Sequence, residues 1–132
     1  MSLINEKLIR LAKSVSENAY APYSNFVVGC AIISEKKNLY SACNVENASY
    51  GLTICAERAA ILKGVSEEGP SFKIKQLVIY TPTNIPVTPC GACRQVMSEF
   101  GNNFEVLSVC DGQGQVKLTI DQLLPKPPDF QF

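Results

Sequence analysis

The 132-residue sequence contains no histidine and no tryptophan, and its twelve basic residues balance its twelve acidic ones. Without histidine, a metal site must use cysteine and carboxylate ligands, and a general base near neutral pH must be a carboxylate or a metal-bound water. The zero net charge argues against general binding to nucleic acid or to an anionic membrane. A small neutral ligand is the favoured partner.

Long apolar runs are absent from the beginning of the chain, where charges interrupt the apolar residues every few positions. This pattern is unlike a signal peptide or a membrane span, so we expect a cytoplasmic protein that does not enter a membrane. The length predicts one domain over residues 1–132. Cytoplasmic thiols stay reduced, so the six cysteines are expected to pack, bind metal or react, although their even number leaves a disulfide framework open.

Apolar periodicity and turn residues predict the element order α-β-β-α-β-α-β-β-α. This order favours an α/β layered domain with a sheet of about five strands and helices on its faces. Thr119 and Gln122 fit a capping box that begins a short last helix. The predicted ranges are helices at 4–19, 52–62 (closed by Gly64), 90–101 and after 119, and strands at 26–33, 39–43, 74–80, 104–110 and 115–118.

Two cysteines lie one helical turn apart in the segment Pro89-Cys90-Gly91-Ala92-Cys93-Arg94-Gln95. The Cys-x-x-Cys spacing alone is a weak signal, because redox motifs and structural zinc sites share it. A thioredoxin-type motif is disfavoured by the absence of tryptophan, and a structural zinc site usually has four protein ligands. Three thiols plus a water would instead form an open metal site.

The segment Cys55-Ala56-Glu57-Arg58 supplies a candidate third thiol at the predicted start of the second helix. If Cys55 begins one helix and Cys90 begins another, both helix N-termini direct backbone N–H groups and partial positive charge toward the thiolates. Glu57 would then be a carboxylate beside the ligands. The other cysteines, at positions 30, 43 and 110, lie in strand patterns and are expected to be small core residues.

Four segments together resemble the small, homotetrameric, zinc-dependent cytidine deaminases. They are Tyr23-Ser24-Asn25-Phe26-x-Val28-Gly29, Asn44-x-Glu46-Asn47, and the two cysteine-containing segments above. The resemblance implies a three-layer cytidine-deaminase-like α/β fold with a mixed sheet, and one Zn²⁺ per chain held by Cys55, Cys90 and Cys93. It also implies the deamination of free cytidine and 2′-deoxycytidine to uridine and 2′-deoxyuridine, with release of ammonia, in pyrimidine salvage by a homotetramer.

The same resemblance implies a role for each matching residue. Glu57 would move protons, and Arg58 would offset the negative charge of the thiolates, with Gln95 supporting them. The implied substrate contacts are Phe26 with the base, Asn44 and Glu46 with the ribose 3′-hydroxyl, Ala56 and Thr53 through backbone groups, and Tyr50 with the sugar in a neighbouring subunit. The tail 125–132 would contribute Phe130 to the active site, with Phe132 as a rival; for Tyr50 and Thr53 ordinary packing is the alternative.

Three other functions fit parts of the pattern. A blasticidin-type nucleoside deaminase shares the zinc motifs, although the segments around Tyr23 and Asn44 resemble the cytidine deaminases better. A structural-zinc interaction module would keep the cysteines but would have no use for Glu57. A deaminase acting on RNA or DNA is disfavoured by the zero net charge and the absent histidine.

Overall fold

A computed structural model describes residues 2–131 and contains a central five-stranded sheet with the strand order β2-β1-β3-β4-β5. The sequence-predicted order of helices and strands is confirmed, with one additional 3₁₀ turn. The elements are α1 (Leu3–Ser16), β1 (Gly29–Ser34), β2 (Leu39–Cys43), the 3₁₀ turn (Tyr50–Leu52), α2 (Ala56–Glu68), β3 (Ile74–Thr81), α3 (Gly91–Ser98), β4 (Glu105–Cys110), β5 (Gln115–Thr119) and α4 (Ile120–Leu123).

The sheet is mixed, as the family resemblance implies. Strand β1 runs antiparallel to both β2 and β3, while β3 and β4 are parallel and α3 forms the crossover between them. Strand β5 returns antiparallel to β4. Because β3 is central, its side chains from Leu77 onward are buried on both faces, which is why its sequence is apolar without alternation.

Helices cover both faces of the sheet and complete the three layers. Successive side chains of a strand point to opposite faces, so Val78 packs in a cluster with Leu8 and Ala12 of α1. On the opposite face, Leu77 and Ile79 pack in the larger cluster that includes residues of α2, α3 and α4. Helix α1 begins where the side chain of Ser2 accepts a hydrogen bond from the backbone N–H of Asn5 at 3.2 Å.

The predicted range of the second helix is wrong at both ends. The helix begins at Ala56, because residues 50–52 form the separate 3₁₀ turn, and it continues through Gly64 to Glu68. Gly64 is required by packing, since a Cβ there would lie 2.4 Å from Cε1 of Phe72. Gly69 caps the helix after Glu68, and its φ of 83° lies in the region that favours glycine.

Other boundaries differ by a few residues. Helix α1 ends at Ser16 and α3 at Ser98, and β1 begins at Gly29, later than predicted. Gly29 lies against α1, where a Cβ would come within 1.9 Å of the carbonyl oxygen of Ala12. The Thr119–Gln122 capping box at the start of α4 is confirmed.

The cysteines outside the two motifs differ in burial. Cys30 is fully buried, as expected for a core residue, but Cys43 and Cys110 are only half-buried, so the prediction of core positions is wrong for these two. Cys43 is the last residue of the edge strand β2, and Cys110 is the last residue of β4. All six cysteines are free thiols. Within residues 2–131 no helix has the length and apolar character needed to cross a bilayer.

Candidate active site

A cavity of about 310 Å³ lies at the carboxyl end of β3. Gly29 pairs with Tyr80 of β3 and with Cys43 of β2, so the start of β1 and the ends of β2 and β3 meet at one edge of the sheet. Ligands of open α/β sheets bind outside the carboxyl ends of strands. The lining residues are Ser24, Phe26, Val28, Asn44, Glu46, Thr53, Cys55, Ala56, Glu57, Ile79, Thr81, Val87, Thr88 and Cys90.

Three cysteine sulfurs converge beside this cavity. Cys55 is the N-cap residue of α2, Cys90 is the N-cap residue of α3, and Cys93 lies in the first turn of α3. Their Sγ atoms lie within 4.8 Å of one another, and those of Cys55 and Cys90 are 4.0 Å apart. Thiolates bound to one zinc ion at about 2.3 Å lie about 3.8 Å apart in tetrahedral geometry. The donor set therefore fits zinc and leaves one coordination position for a non-protein ligand.

Arg58 and the helix N-termini stabilise negative charge on these sulfurs. Nη2 of Arg58 donates a hydrogen bond to Sγ of Cys55 at 3.2 Å. Hydrogen bonds from Cys93 and then from Arg58 lower the pKa of Cys55 to about 5, while donating to Cys55 and being buried raise the pKa of Cys93. The cluster thus holds a thiolate at neutral pH even before a cation adds its own attraction.

Glu57 places a carboxyl group in the wall of the cavity. It lies in the first turn of α2, and only 5% of its surface is exposed. Burial raises the pKa of Glu57, and the negative charge of Cys55 adds to this effect. A carboxyl group with a raised pKa exchanges protons more readily near neutral pH than an ordinary glutamate does.

Asn44 and Glu46 line the cavity and also brace the segment 23–28. The Asn44 side chain accepts a hydrogen bond from the Val28 N–H at 2.9 Å and donates one to the Phe26 carbonyl at 2.8 Å. One oxygen of Glu46 accepts from the backbone N–H groups of Tyr23 and Ser24, and the other accepts from the Ser24 hydroxyl. An amide with a second N–H and a carboxylate with about four acceptor sites can still bind a ligand hydroxyl.

The cavity lining includes the predicted contacts Phe26, Thr53 and Ala56. It also includes several residues to which the sequence analysis assigned no role. Val87 and Thr88 immediately precede the Pro89-Cys90 motif, and this adjacency could have indicated them. Ile79 and Thr81 lie on the same face at the end of β3, but which end of that strand faces the site is decided by the sheet order. The additional wall residues are Ser24, Val28, Ile79, Thr81, Val87 and Thr88.

Five predicted site residues are not among those that line the cavity. Cys93 and Arg58 belong to the sulfur cluster beside it, and the other three lie elsewhere. Tyr50 is 75% exposed and contributes to a second cavity of about 240 Å³ beside the first, where its ring packs edge-on against Tyr23 at 5.9 Å. Phe130 is 61% exposed in the tail. Gln95 is half-buried in α3, and the described hydrogen bonds of the three sulfurs do not include it. Phe132 lies outside the described residues.

A three-layer α/β fold, with cysteines at two helix N-termini and a buried glutamate in the first turn of one of these helices, is the arrangement of a zinc-binding deaminase domain. Residues 3–108 match the family described as the cytidine and deoxycytidylate deaminase zinc-binding region. The chain is 45% identical over 121 residues to a cytidine deaminase of Sporosarcina psychrophila, an alignment covering 91% of this chain and 88% of the relative. It belongs to the cytidine and deoxycytidylate deaminase family.

Solved structures agree with this assignment. The crystal structure of cytidine deaminase from Burkholderia pseudomallei superposes with a TM-score of 0.86 at 38% identity, covering 96% of this chain and 98% of the other. A blasticidin-S deaminase of Bacillus cereus is more distant, at 32% identity over 104 residues that cover 74% of each chain. The α/β fold and the zinc cofactor expected from the sequence are confirmed.

Proposed function

We propose that this chain hydrolyses free cytidine and 2′-deoxycytidine to uridine and 2′-deoxyuridine, with release of ammonia, in pyrimidine salvage. The observation that carries the proposal is the convergence of three cysteine sulfurs and the buried carboxyl of Glu57 on one cavity of about 310 Å³. Residues 1–132 would act as one domain.

Cys55, Cys90 and Cys93 would hold one Zn²⁺, which when bound supplies the Lewis acidity that makes water an effective nucleophile near neutral pH. Three thiolates around a divalent cation leave an excess of one negative charge, which weakens that acidity. Arg58 offsets the excess, because its guanidinium donates directly to Sγ of Cys55.

Glu57 would carry the proton transfers. Its carboxylate accepts a proton from the attacking water, delivers it to N3 of the cytosine ring, and later helps protonate the leaving amino group at C4. One water is consumed and one ammonia released in each turnover. The burial that raises the pKa of Glu57 suits it to both accepting and donating in one cycle.

The cavity wall has surfaces for both halves of a nucleoside. Phe26, Val28 and Ile79 supply apolar contacts for the base, and the N-terminal backbone of α2 at Ala56 supplies N–H groups for its polar edge. Asn44 and Glu46 would bind the 3′-hydroxyl, which ribose and deoxyribose share. We therefore propose that both nucleosides are substrates.

The charge of the wall favours a nucleoside over deoxycytidylate. Across residues 2–131, the side chains that line the two neighbouring cavities include the carboxyl groups of Glu46 and Glu57 but no lysine or arginine. A 5′-phosphate would find no cationic side chain on this surface, and the helix N-termini of α2 and α3 already face the cysteine sulfurs. The zero net charge similarly supports a small substrate over nucleic acid.

We also propose a cytoplasmic homotetramer in which the site is completed by a neighbouring chain. The high exposure of Tyr50 supports a contact across the interface, and exposed Tyr20 and Leu52 supply apolar surface nearby. The tail 125–132 would bring Phe130 over the base, and Gln95 would support the thiolates from α3.

A substrate panel tests the proposal. Zinc-loaded protein is incubated separately with cytidine, 2′-deoxycytidine, deoxycytidylate, blasticidin S and a cytosine-containing oligonucleotide, and released ammonia is measured. We expect turnover of the two nucleosides, loss of that turnover after chelation, and recovery on adding Zn²⁺. Zinc-loaded protein that releases no ammonia from either nucleoside would contradict the proposal, and preferential turnover of blasticidin S would replace it with the second deaminase type.

A further inference from the structure

We propose that Arg94 is a positioning residue for the metal site. Its guanidinium ties the loop that carries Cys90 to the end of α4, and so holds the Cys90 sulfur within reach of the other two. The inference rests on the zinc site of the proposed function, but it concerns a residue that is not in the cavity lining and whose described side-chain hydrogen bonds do not include a sulfur.

Arg94 makes three hydrogen bonds to acceptors from two parts of the chain. Its Nε donates to the Pro89 carbonyl at 2.7 Å, and its Nη2 donates to the Thr88 hydroxyl at 3.1 Å. Its Nη1 donates to the Leu123 carbonyl, in the last turn of α4, at 2.9 Å. One planar guanidinium therefore joins the start of α3 to the end of α4, a link that a single flexible ammonium group would not reproduce.

The acceptors explain why a guanidinium is needed at this position. Pro89 has no backbone N–H, so its carbonyl oxygen is the one backbone hydrogen-bonding group that this residue itself offers. The Leu123 carbonyl lies at the end of a helix, where no further turn supplies a donor. A cation at the N-terminal end of α3 is disfavoured by the helix dipole, and these three hydrogen bonds oppose that effect and hold the Arg94 side chain toward the start of its own helix.

Cys90 is the sulfur that depends most on this support. Cys93 is buried inside α3 and Cys55 is half-buried, whereas Cys90 is exposed and lies at the N-cap in extended conformation. The carbonyl of Pro89 and the nitrogen of Cys90 belong to one planar peptide unit. Fixing the Pro89 oxygen therefore orients the peptide plane from which the Cys90 backbone continues, and so favours the conformation in which its Sγ lies 4.0 Å from Sγ of Cys55.

The test compares Arg94→Gln and Arg94→Lys with the wild type. Zinc-loaded proteins are mixed with a chromogenic chelator, and the rate of zinc release is measured. We expect release from Arg94→Gln to be roughly 10- to 100-fold faster, the range seen when groups that orient metal ligands are removed. Arg94→Lys, which keeps the charge but not the fork, should lie between the two. In Co²⁺-substituted protein, the sulfur-to-metal absorption bands should change in the same order.

Leu123→Ala is the matched control for general destabilisation. It removes an apolar side chain from the core but leaves the carbonyl that Arg94 contacts, so we expect lowered thermal stability with unchanged zinc release and unchanged cobalt bands. Equal zinc release from Arg94→Gln and wild type, or release from Arg94→Gln that matches Leu123→Ala at equal loss of stability, would overturn the inference. Should Arg94→Gln fail to fold, Arg94→Lys decides by the same comparison. Wild-type protein that binds no zinc would instead contradict the proposed function.

Discussion

Helix α2 carries a glutamate near each end, and the two carboxyl groups lie in opposite surroundings. Glu57, in the first turn, is 5% exposed and lines the cavity beside the cysteine sulfurs. Glu68, the last residue of the helix, accepts hydrogen bonds on one oxygen from Ser34, Asn38 and Tyr40, at 2.6, 2.9 and 3.0 Å.

The surroundings move the two pKa values in opposite directions. Burial dominates at Glu57 and raises its pKa. Burial acts in the same direction at Glu68, but the three hydrogen bonds outweigh it and lower the pKa. One end of the helix thus keeps a carboxyl group available for proton transfer, while the other uses a carboxylate to hold the β1–β2 hairpin against α2.

Replacing Cys55, the N-cap residue of α2, should have the largest effect. In Cys55→Ser we expect zinc content to fall from about one ion per chain toward zero, with loss of turnover, because two thiols do not form a complete protein ligand set. Elemental analysis and an ammonia assay measure both quantities. Cys110→Ser, at a half-buried position that is neither part of the sulfur cluster nor in the cavity lining, should keep both. A Cys55→Ser chain that turns over cytidine without zinc would contradict the assignment.

Removing the charge of each glutamate in turn tests directly whether the two carboxyl groups have different roles. Glu57→Gln should keep about one zinc per chain and lose roughly 10²- to 10⁴-fold in turnover, because an amide cannot accept and return a proton. Glu68→Gln should keep its turnover per folded molecule. The change in ultraviolet absorbance as cytidine becomes uridine measures the turnover of both variants. Substantial turnover by Glu57→Gln would remove the proton-transfer role.

A change at Arg58 tests whether the thiolates at the N-terminal end of α2 need a compensating positive charge. Arg58→Gln removes the donor to Sγ of Cys55 and the neighbouring positive charge. We expect turnover to fall roughly 10- to 100-fold while zinc remains bound after gentle purification. Arg10→Gln, on the exposed side of α1, is the control and should match the wild type. Equal turnover of both variants would show that the thiolates need no compensating cation.

At the other end of α2, the expected effect is on stability. Glu68→Gln loses charge-assisted hydrogen bonds to partly buried donors, and each such bond contributes about 1.5–3 kcal/mol where it is well formed. Because the glutamine amide can keep some of these contacts, we expect a total loss of about 2 kcal/mol. Urea denaturation measures the change in the free energy of unfolding. Glu67→Gln, one residue earlier and exposed, should be neutral. A neutral Glu68→Gln would mean that the three hydrogen bonds contribute little.

The smallest expected effect is the pH dependence of that stability. Because the folded-state pKa of Glu68 is lowered, its contribution is fully present above the unfolded-state pKa of about 4.3 and is lost as pH falls through the folded-state value. The difference in unfolding free energy between wild type and Glu68→Gln should therefore narrow from about pH 6 to below pH 4. Urea midpoints across this range provide the measurement, and a constant difference would contradict the lowered pKa.

Local signals made much of the fold predictable. The apolar periodicity of α1, the capping box at Thr119 and the unbroken apolar run of β3 each involve interactions within a few residues, and all three elements are present. The range of α2 was mispredicted because Gly64 resembles a helix end in sequence. Its requirement for a small residue comes from Phe72, and that contact exists only once the helix packs on the sheet.

The candidate site divides in the same way. The sequence by itself determined which thiols could bind a metal and which carboxyl group could lie beside them, since residue type, spacing and position at a helix start are local properties. Only the tertiary structure decided that Cys55 meets Cys90, that Asn44 and Glu46 brace the segment 23–28, and that Arg94 joins α3 to α4. These contacts join residues far apart in the chain, and the order and direction of the strands bring them together. No local preference of the backbone encodes that order.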